Sequence, residues 1–299
     1  MRLMLLRRVL GLSLIVASTA CCGVSPPKSP LPTPQNAIDR IRATGSCGLG
    51  VQASAKIDHI GPNGRARGDL LLYAVAPTSL RMDVVSPFGV NLATLTSDGR
   101  KFALADLREH RFYTGPASAC NIARLTSVSI PPSVLGGLLR GQPVLLKHEA
   151  PAISSSWDSH GYYVVTIEST RQAEQELHLA PHPADFDKPW SEQRMRLIDV
   201  TVRQQGVVLY HASLSDHAPA PMSKPRVDPD GIDPPVPPSG PECTAEIPRR
   251  IHVEVPGSDV DVLFNYDQVT WNPPIIDGLF AQAPVPGMTT TPVECADPR

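Results

Sequence analysis

Aromatic side chains make up only 5% of this 299-residue sequence, and neither sign of charge prevails, with 27 lysines and arginines against 29 acidic residues. With a pI near 6.5 and no basic cluster after the first residues, the chain offers nucleic acid no electrostatic footprint. Cysteine is sparse, and none of the six has a CxxC spacing, which argues against a zinc or thioredoxin-like site. There is no G-x-S-x-G elbow, no H-E-x-x-H pair and no phosphate-cradling glycine loop. His178 and His182 lie four apart, but Pro181 and Pro183 bar the helix that would put them on one face. Asp228, Asp230 and Asp233 are spaced like the start of a calcium loop without its downstream glutamate, and read as a solvated acidic loop. The expectation is therefore a protein without cofactor, metal or catalytic site.

What is present begins with Arg2, Arg7 and Arg8, then the apolar run Val9 to Ala17, then Ser18, Thr19 and Ala20 before Cys21. A basic start, a short apolar region and a small-residue boundary describe a secretory signal over 1–20, too short to span a bilayer. The boundary resembles the lipobox of bacterial lipoproteins, with Ser18 standing where that pattern prefers leucine. The resemblance implies that Cys21 is acylated and becomes the mature N-terminus. No aspartate follows, so the outer membrane is the expected destination. Residues 24–35 hold five of the 33 prolines and almost no large apolar side chains, and read as an extended tether. Thr33-Pro34 then reads as the cap and first position of a short helix carrying Ile38 and Ile41.

The stretch from Gly68 to Leu146 organises the rest. Apolar runs at Leu70 to Ala76, Leu80 to Val85 and Leu92 to Thr96 are separated by Pro77-Thr78 and Pro87-Phe88-Gly89, which is hairpin spacing. Leu80, Met82 and Val84 alternate with Arg81 and Asp83, giving one apolar and one polar face. Turns at Asp98-Gly99 and Arg108-Glu109-His110 lead into Lys101 to Asp106 and Arg111 to Gly115, five strands in all. Two short helices should follow. One opens at Pro116 and carries Ala119, Ile122, Ala123 and Leu125; the other opens at Pro131-Pro132, carries Val134, Leu135, Leu138 and Leu139, and ends at Gly141.

The succession Leu80 to Gly89, then Ser97-Asp98-Gly99, Leu125-Thr126, Ile130-Pro131 and Leu138-Leu139-Arg140-Gly141 resembles outer-membrane lipoprotein receptors of the LolB type. That resemblance implies a mainly β, unclosed antiparallel barrel with a helical lid over an apolar cavity for acyl chains. Leu80, Met82, Val84, Ile122, Leu125, Val134, Leu135, Leu138 and Leu139 would line the cavity and its lid. It also implies a monomer that takes acylated lipoproteins or lipid, with a periplasmic carrier as a partner, at the periplasmic face of the outer membrane. Phe88 has two readings. A phenylalanine between proline and glycine in a tight turn either folds back to cap the sheet or, as the resemblance implies, protrudes to help deliver cargo into the membrane.

Further strands are expected at Gly48 to Ile60, Ile153 to Trp157, Tyr162 to Glu168, Glu174 to Leu179, Met195 to Arg203, Val207 to Ser213, Ile251 to Val255 and Asp259 to Trp271. One half-barrel domain, 36–283, is interrupted by a proline-rich excursion over 217–247 and followed by a loose tail, 284–299. Export permits disulfides among Cys47, Cys120, Cys243 and Cys295, in three connectivities. Cys47–Cys120 with Cys243–Cys295 is preferred, because the second pair would tie the tail to the end of the excursion.

Overall fold

The computed structural model describes residues 23–62 and 64–294, so the expected signal, Cys21 and Cys295 lie outside the described residues. Helix α1 (Pro34–Gly45) precedes six strands: β1 (Gly50–Gly61), β2 (Gly64–Val75), β3 (Ser79–Val85), β4 (Asn91–Ser97), β5 (Lys101–Asp106) and β6 (Arg111–Pro116). Helices α2 (Ala119–Thr126) and α3 (Pro132–Leu139) follow. Then come β7 (Ile153–Asp158), β8 (Tyr162–Glu168), β9 (Ala173–Pro181), β10 (Met195–Gln204), β11 (Val207–Pro219), β12 (Glu246–Val255), β13 (Val260–Trp271) and β14 (Thr289–Pro292). All form one sheet in the order β14-β6-β5-β4-β3-β2-β1-β13-β12-β11-β10-β9-β8-β7. Every pairing is antiparallel except β14 with β6, and the edge strands β14 and β7 do not meet, so the barrel is unclosed.

One face of the sheet carries the core. Leu70, Leu72 and Ala74 of β2 are buried, as are Leu80 and Met82 of β3, in the period of two that their sequence predicts. Two strands break that period. In β13 the buried set passes from Val262, Phe264 and Tyr266 to Val269 and Trp271 across a bulge opposite Ser54 and Ala55. In β10 it passes from Met195 and Leu197 to Val200 and Val202 across another. Each extra residue restores the apolar side chains to the core face and bends the strand, as a curved sheet requires.

The helices cover this face. The Thr33 hydroxyl accepts from Asn36 N while the Asn36 side chain accepts from Thr33 N, a reciprocal cap on α1. Ala37, Ile38 and Ile41 are buried, and α1 docks on β10 through Met195 N–H to Thr44 Oγ1 at 3.0 Å. Pro116 does not open α2 as expected. It pairs with Lys101 at the end of β6, and the helix starts after Ser118. Helix α3 runs as expected to Leu139, and after Arg140 the chain turns at Gly141, whose φ of +71° is a conformation that favours glycine.

Four expectations about the connecting segments are corrected. Residues 23–32 are no free tether. Val24 N bonds to Ser159 O at 2.7 Å, Lys28 N to Phe186 O at 3.0 Å and Leu31 N to the Tyr163 hydroxyl at 3.2 Å. Proline lacks an N–H but keeps its carbonyl, so a proline-rich strand can lie along a domain wherever its remaining amides find acceptors. The excursion is shorter than 217–247, because β11 continues to Pro219 and β12 begins at Glu246. It is also fastened at its end. Asn272, fully buried, accepts from Gly50 N at 3.1 Å and donates to Cys47 O and Pro241 O at 2.8 Å each.

The disulfide joins Cys47 to Cys243, not Cys47 to Cys120, and among the described residues Cys120 is a free thiol. The order of strands explains the pairing: β1 and β13 are neighbours, so the segments before β1 and before β12 converge on one end of the sheet. The tail expected to be loose adds β14, and its Met288 packs on Ala103, Ala105 and Phe112 of the outer sheet face.

Candidate functional site: the 86–90 turn and the helix-covered interior

The turn between β3 and β4 is built around Ser86. Its hydroxyl accepts from Phe88 N at 3.3 Å and Val90 N at 3.1 Å, while Ser86 N donates to Val90 O at 2.8 Å. Gly89 supplies a φ of +78°. With the backbone closed in this way, Phe88 does not fold back onto the sheet; it is 93% exposed, and Val90 beside it is 61% exposed. Of the two readings of Phe88, the protruding one describes its position.

The residues expected to line a cavity and its lid are brought together beneath the helices. Leu80, Met82, Ile122, Leu135, Leu138 and Leu139 are buried in one cluster, with Val84, Leu125 and Val134 partly buried against it. They fill the interior rather than enclose an acyl-sized space. Two small voids border the helices, one of about 30 Å³ beside Arg140 and one of about 50 Å³ beside Pro143 and Leu145. Larger hollows lie on the other face of the sheet, among them one of about 520 Å³ bordered by Leu71, Tyr73, Arg81 and Leu279. There Arg81 is fixed by Asp83 at 2.8 and 3.0 Å.

Outside the core, the polar groups form ladders on the outer face. His211 bridges Asp199 at 2.6 Å and Glu254 at 2.9 Å, and the Asp199 hydrogen bond is the main cause of its pKa being pushed up to about 9. His252 holds Asp261 at 2.6 Å. His252, Glu254 and Asp261 bring one donor atom each within 4.8 Å, the one grouping of this kind among the described residues, and it is absent from any short sequence motif because two strands supply it. His178 and His182 go to different partners, Glu176 at 3.0 Å and Glu246 at 3.3 Å. The Asp228 carboxylate accepts from the N–H groups of Asp230, Ile232 and Asp233, which closes that loop on itself. Among the described residues no helix is long and apolar enough to cross a membrane.

No family model and no curated protein matches the chain. Among solved structures it is similar to a DUF1329 family protein from Desulfovibrio piger, at 9% identity over 83% of this chain and 95% of that one, with a TM-score of 0.50. It is also similar to a LolA superfamily protein from Nitrosomonas europaea, at 13% identity over 84% of this chain and 98% of that one, with a TM-score of 0.48. The likeness to the Desulfovibrio protein is one of fold alone.

Proposed function

We propose that this is an exported, non-catalytic lipid-handling protein, anchored through Cys21 at the periplasmic face of the outer membrane. Its half-barrel takes up acyl chains of lipoproteins or lipids, received from a carrier, and its β3–β4 turn presents them to the bilayer. The exposure of Phe88 carries this reading. A phenylalanine held in water by a hydrogen-bonded turn gains roughly 1.5–3 kcal/mol on entering an apolar phase, enough to orient a protein but not to anchor it. Acyl chains enter if α2 and α3 move away from the sheet. Replacing leucine side chains by methylenes exchanges one apolar contact for another, so the transfer term is small.

The filled interior favours a second reading, an envelope lipoprotein of this fold that serves as a structural or assembly factor and binds no acyl chain. The two are separated by a vesicle flotation assay on the purified protein and its Phe88→Glu variant, with mass spectrometry of co-purified fatty acyl chains. On the first reading the variant melts as the parent does but associates with vesicles roughly ten-fold more weakly or worse, and the parent carries acyl chains. Equal flotation of both, with no acyl chain recovered, leaves the second.

A further inference from the structure

Strands β12 and β13 lie side by side in the middle of the sheet, and their residues alternate between its two faces. Val253 and Val262 are fully buried in the core, while His252, Glu254 and Asp261 stand half-buried on the outer face. The register sets Glu254 directly opposite Asp261 on one side and opposite His211 of β11 on the other. Two carboxylates facing each other across a strand pair repel, so this pairing needs positive charge between them. His252 Nε2 lies 2.6 Å from Asp261 Oδ1 and 4.0 Å from Glu254 Oε1. His211 takes the other oxygen of Glu254, with Nδ1 2.9 Å from Oε2, and reaches Asp199 with Nε2 at 2.6 Å. Both ring nitrogens of His211 are thereby engaged, so it holds Glu254 in place and leaves Oε1 to His252. Three carboxylates against two imidazoles keep the cluster negative whatever charge the rings carry.

We propose that His252, Glu254 and Asp261 form a binding site for a divalent transition cation of the zinc class. One donor atom from each lies within 4.8 Å of the other two. In a tetrahedral site with bonds of about 2.0–2.1 Å the ligand atoms stand about 3.3 Å apart, so the shorter His252 contact opens and the longer one closes by about 0.7 Å each. The imidazole favours zinc over magnesium or calcium, which take six or more ligands, nearly all oxygen. Neighbouring paired strands carry all three ligands, so no loop has to fold to assemble the site. Three protein ligands leave a fourth position open. A hollow of about 270 Å³ adjoins His252 and Asp261, and Arg65 and Arg250 also border it, so the fourth ligand is water or an anion. The site lies on the opposite face of the sheet from α2 and α3 and is independent of acyl binding.

The test is calorimetric titration of the purified protein, stripped with a chelator and carrying no histidine tag, with Zn²⁺, Mg²⁺ or Ca²⁺. Zn²⁺ should bind the parent as one ion per chain with a micromolar or lower Kd. His252→Gln and Asp261→Asn should weaken it roughly ten-fold or more. His178→Gln, which alters an outer-face histidine paired with Glu176 outside the cluster, should leave it unchanged. No Zn²⁺ binding by the parent overturns the site. Equal binding by parent, His252→Gln and Asp261→Asn means an adventitious ion only and overturns it as well, and tighter binding of Mg²⁺ or Ca²⁺ than of Zn²⁺ overturns the zinc assignment. Should the variants fail to fold, anomalous scattering at the zinc edge from a crystal of the parent soaked in Zn²⁺ decides. A peak among His252, Glu254 and Asp261 supports the proposal, and peaks confined to other residues sink it.

Discussion

Cys47 and Cys243 are joined across 196 positions of sequence, so that the chain just beyond α1 is fixed to the last residues of the proline-rich loop. Asn272 holds the carbonyls on both sides of this link, Cys47 O and Pro241 O. Disulfide and asparagine together close one end of the sheet where four segments meet.

Replacing Cys47 and Cys243 by serine should cost about 2–5 kcal/mol, the range for a native disulfide in an exported domain. Urea unfolding with and without a reductant measures it. A midpoint that does not move on reduction would mean that the loop is held by its other bonds alone.

Asn272→Ala should cost about 1–3 kcal/mol, because it leaves the buried Gly50 N–H without its acceptor, takes the donor from Pro241 O and leaves Cys47 O with Leu49 N alone. Asn272 also has a φ of +51°. Asn272→Gly removes the backbone strain but not the lost bonds, so it should recover about 1 kcal/mol of the loss. Full recovery by glycine would assign the effect to the backbone.

Leu138→Ala should lower stability by about 2–5 kcal/mol, and Leu135→Trp by about 1–3 kcal/mol, since both side chains lie in a filled interior. If α3 yields to acyl chains, Leu138→Ala should also take up more fatty acid than the parent, read by displacement of a fluorescent acyl probe. Loss of stability with unchanged uptake would favour the structural reading.

His217 gives a pH dependence of definite sign. Its folded pKa of about 4 lies below the ordinary 6.5, because the charged ring is disfavoured by burial. Between those values the unfolded chain binds more protons, so stability present above pH 6.5 is lost as the pH falls toward 4. His217→Gln should flatten that limb of a stability–pH profile measured by urea unfolding; an unchanged limb would place the acid sensitivity elsewhere.

Much of the fold was legible because it follows from short-range pattern. Thr33 and Pro34 mark the start of α1, the five strands from Leu70 to Gly115 are strands, and Leu135, Leu138 and Leu139 face the core. What escaped the sequence depends on distant residues. The bulges in β10 and β13 shift a period that alternation alone would continue. The partner of Cys47 follows from strand order, not spacing. Arg140 reads as the polar end of a helix, since arginine is almost never fully buried unless paired, and only the packing around it shows that it is enclosed. Thr289 to Pro292 has no alternation to read and becomes a strand only because β6 offers a free edge.

The bonds that hold residues 23–32 against the domain set the length of a leash. While they hold, the chain leading from the proposed anchor meets the domain at Val24, beside the Ser159 turn that opens β8. Phe88 follows β3, and eight successive antiparallel neighbours place β3 and β8 in the same direction, so the two turns lie on opposite rims of the sheet. On the proposed reading the anchor and the phenylalanine then pull different rims toward the bilayer. If residues 23–32 peel away, about 33–36 Å of chain is released, and the half-barrel is free to turn over and meet the membrane with Phe88 first.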